Sequence, residues 1–229
     1  MVVILIAKVA IIYEIDNNLS FFFFYRHLIF LFLWFSFYFC ISKQVCFSKW
    51  TEKMNIAVFC SANNALDPEF FTLTRRLGEW IGREGHTLVY GGCDMGLMEC
   101  VAKAVHDSGG RVIGVIPIRL EKGGHVSSYI DVQILCETLG ERKQLMLDHS
   151  DVVVALPGGI GTLDEIFSVA AEGTLAYHDK RVIVYDMKGF WNGLESLLDG
   201  LQQKGVMRGD YHSRITFAHD KDELLRMLA

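Results

Sequence analysis

Val152-Val153-Val154-Ala155-Leu156-Pro157-Gly158-Gly159-Ile160-Gly161-Thr162-Leu163-Asp164-Glu165 is the stretch on which the fold turns. The unbroken apolar run Val152–Leu156 predicts a strand buried on both faces. Downstream, Ile166, Phe167, Val169 and Ala170 carry apolar spacing suited to a helix. The chain therefore leaves a buried strand, turns through three glycines and enters a helix. Glycine tolerates positive φ and leaves no Cβ to hold a ligand away. A helix start offers unpaired N–H groups and the positive end of the helix dipole, which together suit an anion. Thr162 adds a hydroxyl, and Glu165 is expected within the first helical turn. A carboxylate beside an anion seat has two readings: a helix cap or a group that acts on whatever the anion carries.

The same grammar repeats outward from this stretch. Asn55–Cys60 predicts a first strand, followed by the polar loop Ser61–Asp67. Pro68 stands at a first helical position; Phe70, Leu73, Leu77, Trp80 and Ile81 share one helical face, and Gly85 ends that helix. Thr87–Tyr90 predicts a short strand leading into Gly91-Gly92-Cys93-Asp94-Met95-Gly96-Leu97-Met98, and then a helix to Ser108. Arg111–Ile116 predicts a strand ended by Pro117. Ile118–Tyr129, with two glycines and mixed charge, reads as a mobile loop, and Val132–Leu135 as a short strand. Thr138–His149 predicts a helix with Glu141-Arg142-Lys143 near its start. After the central helix, expected to reach about Tyr177, come a strand Val182–Tyr185 and an amphipathic helix Phe190–Gln203. Its expected apolar side is Trp191, Leu194, Leu197, Leu198 and Leu201. A strand Ile215–Phe217 and a terminal helix Asp220–Leu228 complete the domain.

Strands alternating with helices predict an α/β fold. It is a single-domain, doubly wound, Rossmann-like, mainly parallel sheet with helices on both faces. Ligands of such sheets sit at the carboxyl ends of the strands. The turns at Gly91 and Gly158 are both strand-to-helix turns, so both lie on that edge and can face one ligand.

Residues 1–53 differ in composition from the rest. They contain no Gly or Pro, whereas all 21 glycines fall from Gly78 onward, and they hold ten of the 16 Phe residues. Leu28–Ile41 is apolar apart from Ser36 but falls short of the ~20 residues of a spanning helix. Extending it to Leu19 takes in Arg26 and His27, and no small-x-small cleavage site follows. We read 1–53 as a hydrophobic extension. Three readings stand: translation has been set to start too early, since Phe, Ile, Tyr, Asn and Lys are what AT-rich noncoding DNA encodes, which we favour; the segment is a membrane anchor; or it is an uncleaved signal-like segment. Met54 stands directly before the first strand and opens the expected catalytic domain, 54–229. Setting aside the five basic and three acidic residues of 1–53 leaves 17 against 24, a net −7. That balance opposes nonspecific nucleic-acid binding yet allows a small anion held by backbone amides. Cys60, Cys93, Cys100 and Cys136 show no C-x-x-C or zinc-type spacing. They read as reduced thiols of a cytoplasmic protein, with no metal and no cofactor expected.

Several chemistries lack their residues. Neither turn is G-x-G-x-x-G with an acidic residue after the next strand, and neither is followed by Gly-Lys-Ser/Thr. No G-x-S-x-G elbow occurs. His86, His106, His149, His178, His212 and His219 read as surface or core fillers.

Tyr90–Met98 (Y-G-G-x-x-x-G-L-M), Glu141-Arg142-Lys143 and Pro157–Glu165 (P-G-G-x-G-T-x-x-E), in that order and spacing, resemble the Lonely Guy family. These are the cytokinin riboside 5′-monophosphate phosphoribohydrolases, some bacterial members of which were long labelled lysine decarboxylases. The resemblance covers 54–229. It implies hydrolysis of the N-glycosidic bond of an adenosine 5′-monophosphate, often N6-substituted, to free base and ribose 5-phosphate. By the same resemblance Arg142 and Glu165 form the catalytic pair and Lys143 lies beside the substrate. The phosphate rests on Gly158, Gly159, Gly161 and Thr162, and Ile160, Gly91, Gly92, Gly96 and Met98 complete the substrate side. A homodimer is implied as well.

The residues suit that chemistry. Breaking a ribosyl C–N bond builds positive charge on the sugar, which a fixed carboxylate stabilises while it binds hydroxyls or polarises water. Arg142 has two readings, a phosphate ligand or a donor to the leaving base. Glu141 reads as a solvated helix charge, and Asp164, about 100° round the helix from Glu165, as a cap or surface residue. The chain departs from the family at Leu139-Gly140, where Met-His is common, and at Ala171-Glu172-Gly173-Thr174, where Thr-Trp-Ala-Gln is common. Plain AMP and N6-substituted AMP therefore remain equal candidates. The alternative is a non-catalytic nucleotide-binding module, as in molybdenum-cofactor carrier proteins. Lysine decarboxylation is excluded, because no lysine is placed for a pyridoxal phosphate Schiff base with a ring-nitrogen partner.

Overall fold

The computed structural model describes residues 53–228; the expectation for the 1–53 extension falls outside them, Lys53 apart. Seven strands form one sheet in the order β4-β3-β2-β1-β5-β6-β7, every pairing parallel. They are β1 Asn55–Phe59, β2 Thr87–Tyr90, β3 Arg111–Pro117, β4 Val132–Cys136, β5 Val152–Ala155, β6 Val182–Tyr185 and β7 Ile215–Ala218. The helices are α1 Pro68–Arg83, α2 Gly96–Asp107, α3 Ile118–Lys122, α4 Leu139–Asp148, α5 Ile160–Thr174, α6 Asn192–Gln203 and α7 Lys221–Leu228.

Alternation along the central strand explains the layering. Ile56 and Val58 face a core shared with Leu77 and Ile81 of α1, Leu97 and Val101 of α2, and Leu224 of α7. Ala57 and Phe59 face the opposite core, with Met146 of α4, Ile166 and Val169 of α5, and Leu194 and Leu198 of α6. Both faces of β1 are dry, which is why its sequence is continuously apolar. α1 starts where its residues dictate: Asp67 accepts a hydrogen bond from the Glu69 N–H at 2.9 Å, and Pro68 needs no donor there.

The strand order reverses between β1 and β5. Val58 pairs with Tyr90 on one side and with Val154 on the other, so the ends of β2, β1 and β5 lie level. The chain leaves this edge in opposite directions at the reversal, the point at which sheets of this kind place their ligands. The loop after β1 is tied to the turn after β5 by the Ser61 N–H donating to Pro157 O at 3.1 Å.

Three expectations are corrected. Ile118–Tyr129 is not all loop: Ile118–Lys122 forms one turn of helix, because Pro117 adopts a helix-entry conformation and Gly123 follows as the stop. In α6 Leu197 is 54% exposed while Trp191, Leu194 and Leu198 are buried, so the packed face is narrower than the apolar pattern. Phe190 precedes that helix, which follows a short 3₁₀ turn, Met187–Gly189. Among the described residues no helix is long and apolar enough to cross a membrane.

Candidate active site

α4 and α5 present the two charged groups of the site. Thr138 caps α4, accepting from the Glu141 N–H at 3.1 Å, and Glu141 reaches back to accept from the Glu137 N–H at 2.8 Å. That capping pair holds Glu141 on the solvent side and turns the next residue, Arg142, inward. Its side chain is 14% exposed and crosses to α5, where Nη1 stands 3.7 Å from Glu165 Oε1. The Arg142 Nε is buried without a hydrogen-bond partner among the described residues. On its other side the guanidinium lies against Gly91: a Cβ there would sit 1.5 Å from Nη2.

Glu165 lies in the second turn of α5, not the first, because the helix already begins at Ile160 with Gly159 as its N-cap. This removes the capping reading, since an N-cap partner belongs three residues into a helix. The residue is 6% exposed. Burial pushes its carboxyl from near 4.5 up to about 7; Arg142 pulls it down, Asp164 raises it and Lys143 lowers it. At 3.7 Å the Arg142 contact is longer than a direct hydrogen bond. The pair is therefore not closed into a hydrogen bond.

The two glycine turns differ in what their helix starts offer. At α2 the Gly96 N–H donates to Asn64 Oδ1 at 2.8 Å, and the Leu97 N–H donates to Ser61 O at 2.9 Å. Met98 is packed in the core. At α5 no side chain among the described residues caps the helix, and its first N–H groups have no intrahelical acceptor. Space is open where Gly159 and Gly161 would carry a Cβ, Ile160 is exposed, and Thr162 is folded against Gly158, where a Cβ would meet Thr162 Oγ1 at 2.0 Å. Of the two helix starts, that of α5 is the one whose amides no side chain among the described residues engages.

The first turn instead shapes the adjoining wall. Gly92 adopts φ +77°, and segment 123–129 docks on it: the Ser127 N–H donates to Gly92 O at 3.0 Å, and Cys93 bridges Val126. Gly96, at φ +62°, has its missing Cβ only 2.5 Å from the Ala62 carbonyl carbon. Gly96→Ala is expected to destabilise the fold by about 2–4 kcal/mol, read as a lower urea midpoint; an unchanged midpoint would show that the Ser61–Asn64 loop yields.

Lys143 is engaged by side chains of α5. Its Nζ donates to both Asp164 oxygens, at 2.9 and 2.8 Å, and to Ser168 Oγ at 2.8 Å. Asp164 is thereby an ion-pair partner and not a cap. The residue types of Ser61 and Asn64 do not set them apart from an ordinary polar loop; only their position directly after a buried strand marks them. His86 is buried, its Nδ1 accepting from the Met54 N–H, as a core filler does. Among the described residues no group of His, Cys, Asp and Glu is arranged to hold a metal ion.

The family model described as "Possible lysine decarboxylase" matches residues 98–228. A cytokinin riboside 5′-monophosphate phosphoribohydrolase of Mycobacterium tuberculosis is 36% identical over 179 residues, covering 78% of this chain and 95% of that protein. A probable cytokinin riboside 5′-monophosphate phosphoribohydrolase of Oryza sativa subsp. japonica is 35% identical, covering 76% and 75%. Among solved structures, the molybdenum cofactor binding protein of Rippkaea orientalis superposes with a TM-score of 0.59 at 23% identity, covering 77% of this chain and 96% of that one. That last likeness speaks for the doubly wound fold alone. Taken with the three motifs on one sheet edge, the sequence matches place this chain in the Lonely Guy family, the cytokinin riboside 5′-monophosphate phosphoribohydrolases.

Proposed function

We propose that this protein hydrolyses the N-glycosidic bond of adenosine 5′-monophosphates, plain or N6-substituted, to free base and ribose 5-phosphate. One observation carries the reading: a buried carboxyl, Glu165, stands beside an uncapped helix start with a half-engaged guanidinium, Arg142, across from it. The phosphate is held by the amides at Gly159–Thr162 and the Thr162 hydroxyl. That remote binding holds the ribose over Glu165. As the C1′–N9 bond breaks, its electron pair leaves with the base and C1′ gains positive charge, which the ionised Glu165 stabilises. Water adds its oxygen to C1′ and gives its proton to that carboxylate, and the proton then passes to the departing base nitrogen, which yields the neutral base and restores the ionised Glu165. Arg142, with its Nε free, donates a hydrogen bond to an acceptor on the departing base or to the phosphate.

The test is product analysis. The purified protein, mixed with AMP, N6-isopentenyl-AMP and a panel of other monophosphates, is expected to release free adenine-type base. If every nucleotide is recovered intact although bound, the carrier reading replaces this one.

The working unit we propose is 54–229, acting in the cytoplasm as a homodimer that does not bind nucleic acid. Supporting the dimer, Ile160, Leu139, Phe167 and Leu175 are large apolar side chains left exposed on or next to α4 and α5; light scattering at the protomer mass would reject it. Supporting the cytoplasm, Cys60, Cys93, Cys100 and Cys136 are free thiols. For the start at Met54 the check is the N-terminal sequence of the native protein.

A further inference from the structure

We propose that Lys143 is a positioning residue: with Asp164 and Ser168 it forms a clamp between α4 and α5 that sets the separation of Arg142 and Glu165. The inference rests on the reading of Arg142 and Glu165 given above, and it assigns Lys143 a task other than touching the substrate.

The donor count is the first argument. An ammonium has three N–H groups, and three acceptor atoms lie at 2.8–2.9 Å from Nζ: both oxygens of Asp164 and the hydroxyl of Ser168. No donor remains for a phosphate. Asp164 and Ser168 are four residues apart on α5, hence on one face of the helix, so a single lysine grips two successive turns.

Placement is the second. Lys143 follows Arg142 on α4, and Asp164 precedes Glu165 on α5. The clamp is thus one residue removed from the working group on each helix. It fixes both the axial register and the rotation of the two helices at the level where precision matters. The working pair does not fix itself, because 3.7 Å between Arg142 Nη1 and Glu165 Oε1 is too loose to lock either side chain.

Electrostatics is the third. Asp164 raises the Glu165 carboxyl and Lys143 lowers it, so as an intact pair their influences oppose each other. The other groups facing Glu165 are Arg142 of α4 and the Cys60 thiol after β1, which burial keeps neutral. Removing Lys143 leaves Asp164 unbalanced and moves Glu165 upward; removing Asp164 leaves Lys143 unbalanced and moves it downward.

The experiment is a double-mutant cycle on the full chain with Lys143→Met, Asp164→Ala and both together, plus Lys143→Arg. Each single variant is expected to lower kcat by about 10- to 100-fold with KM little changed. The double variant is expected to be no worse than the poorer single one, since one interaction is removed twice. Lys143→Arg retains most of the rate. The acid limb of the pH–rate profile moves to higher pH in Lys143→Met, to lower pH in Asp164→Ala, and back in the double. A large rise in KM for Lys143→Met with Asp164→Ala unaffected would place the lysine on the substrate and overturn the clamp; so would independent, multiplicative losses. Titration of the Glu165 carboxyl carbon by NMR reads the same opposed shifts without turnover. A wild type inert toward all nucleotides therefore rejects the activity, while the clamp stands or falls on those shifts.

Discussion

Glu165→Gln is expected to lower base release by at least ~100-fold and, above pH 7, to make the protein more stable. The two effects share one cause. The carboxyl is 6% exposed, and burial moves it from near 4.5 to about 7 despite the attraction of Arg142. Between those values the folded protein holds a proton that the unfolded chain has lost, so stability falls as pH rises through the window. The stabilisation is fully present below pH 4.5 and gone above about 7, a difference on the order of 3 kcal/mol. Glutamine matches the protonated carboxyl in shape and never ionises. At pH 8 the variant should exceed the wild type in thermal midpoint by several degrees, and near pH 4.5 the two should converge. Activity in the wild type should rise with pH through about 7, as the ionised form appears. A Gln variant with wild-type turnover would reduce Glu165 to a buried filler; one without the stability gain at pH 8 would mean that the folded carboxyl titrates normally.

Much of this was legible in residues 54–229 before any coordinates. Thr87–Tyr90 and Val182–Tyr185 are strands as read, because in a two-faced parallel sheet an apolar run bounded by turn residues has one stable use. The stretch Pro157–Glu165 was legible as strand, turn and helix. The start of that helix was not, since Gly161 is a poor helix former and invited a later beginning. The structure makes Ile160 and Gly161 helical, which moves Glu165 by a turn and changes what it can be.

The non-local contacts were not legible. Lys143 and Asp164 are 21 residues apart, and nothing in either helix alone brings them together. The use of the Gly96 and Leu97 amides by Asn64 and Ser61 likewise depends on β1 lying beside β2. Local grammar treated the two glycine turns as equivalent. Tertiary structure distinguishes them, leaving the start of α5 uncapped and engaging that of α2 with Asn64 and Ser61.

That distinction yields the second large effect. Gly91→Ala is expected to reduce kcat by about 100-fold or more while leaving the thermal midpoint within a few degrees of wild type. The added Cβ would meet Arg142 Nη2 at 1.5 Å and Cζ at 2.7 Å. What it strikes is the free end of a flexible side chain, which moves aside at little energetic expense. Gly91, unlike Gly92 and Gly96, does not adopt positive φ, so alanine suits its backbone. The fold therefore survives, but the guanidinium is driven away from its position 3.7 Å from Glu165. The site then loses the donor proposed for the base or phosphate, and Glu165 loses the cation that lowers it. Its carboxyl should rise above about 7, carrying the acid limb of the rate profile upward. Gly96→Ala, five residues away in the same turn, should behave oppositely, losing stability first because its Cβ meets backbone. Turnover and melting of the two variants measured side by side decide the matter. If Gly91→Ala turns over like wild type, the placement of Arg142 is not what the reaction requires, and the role proposed for that residue falls with it.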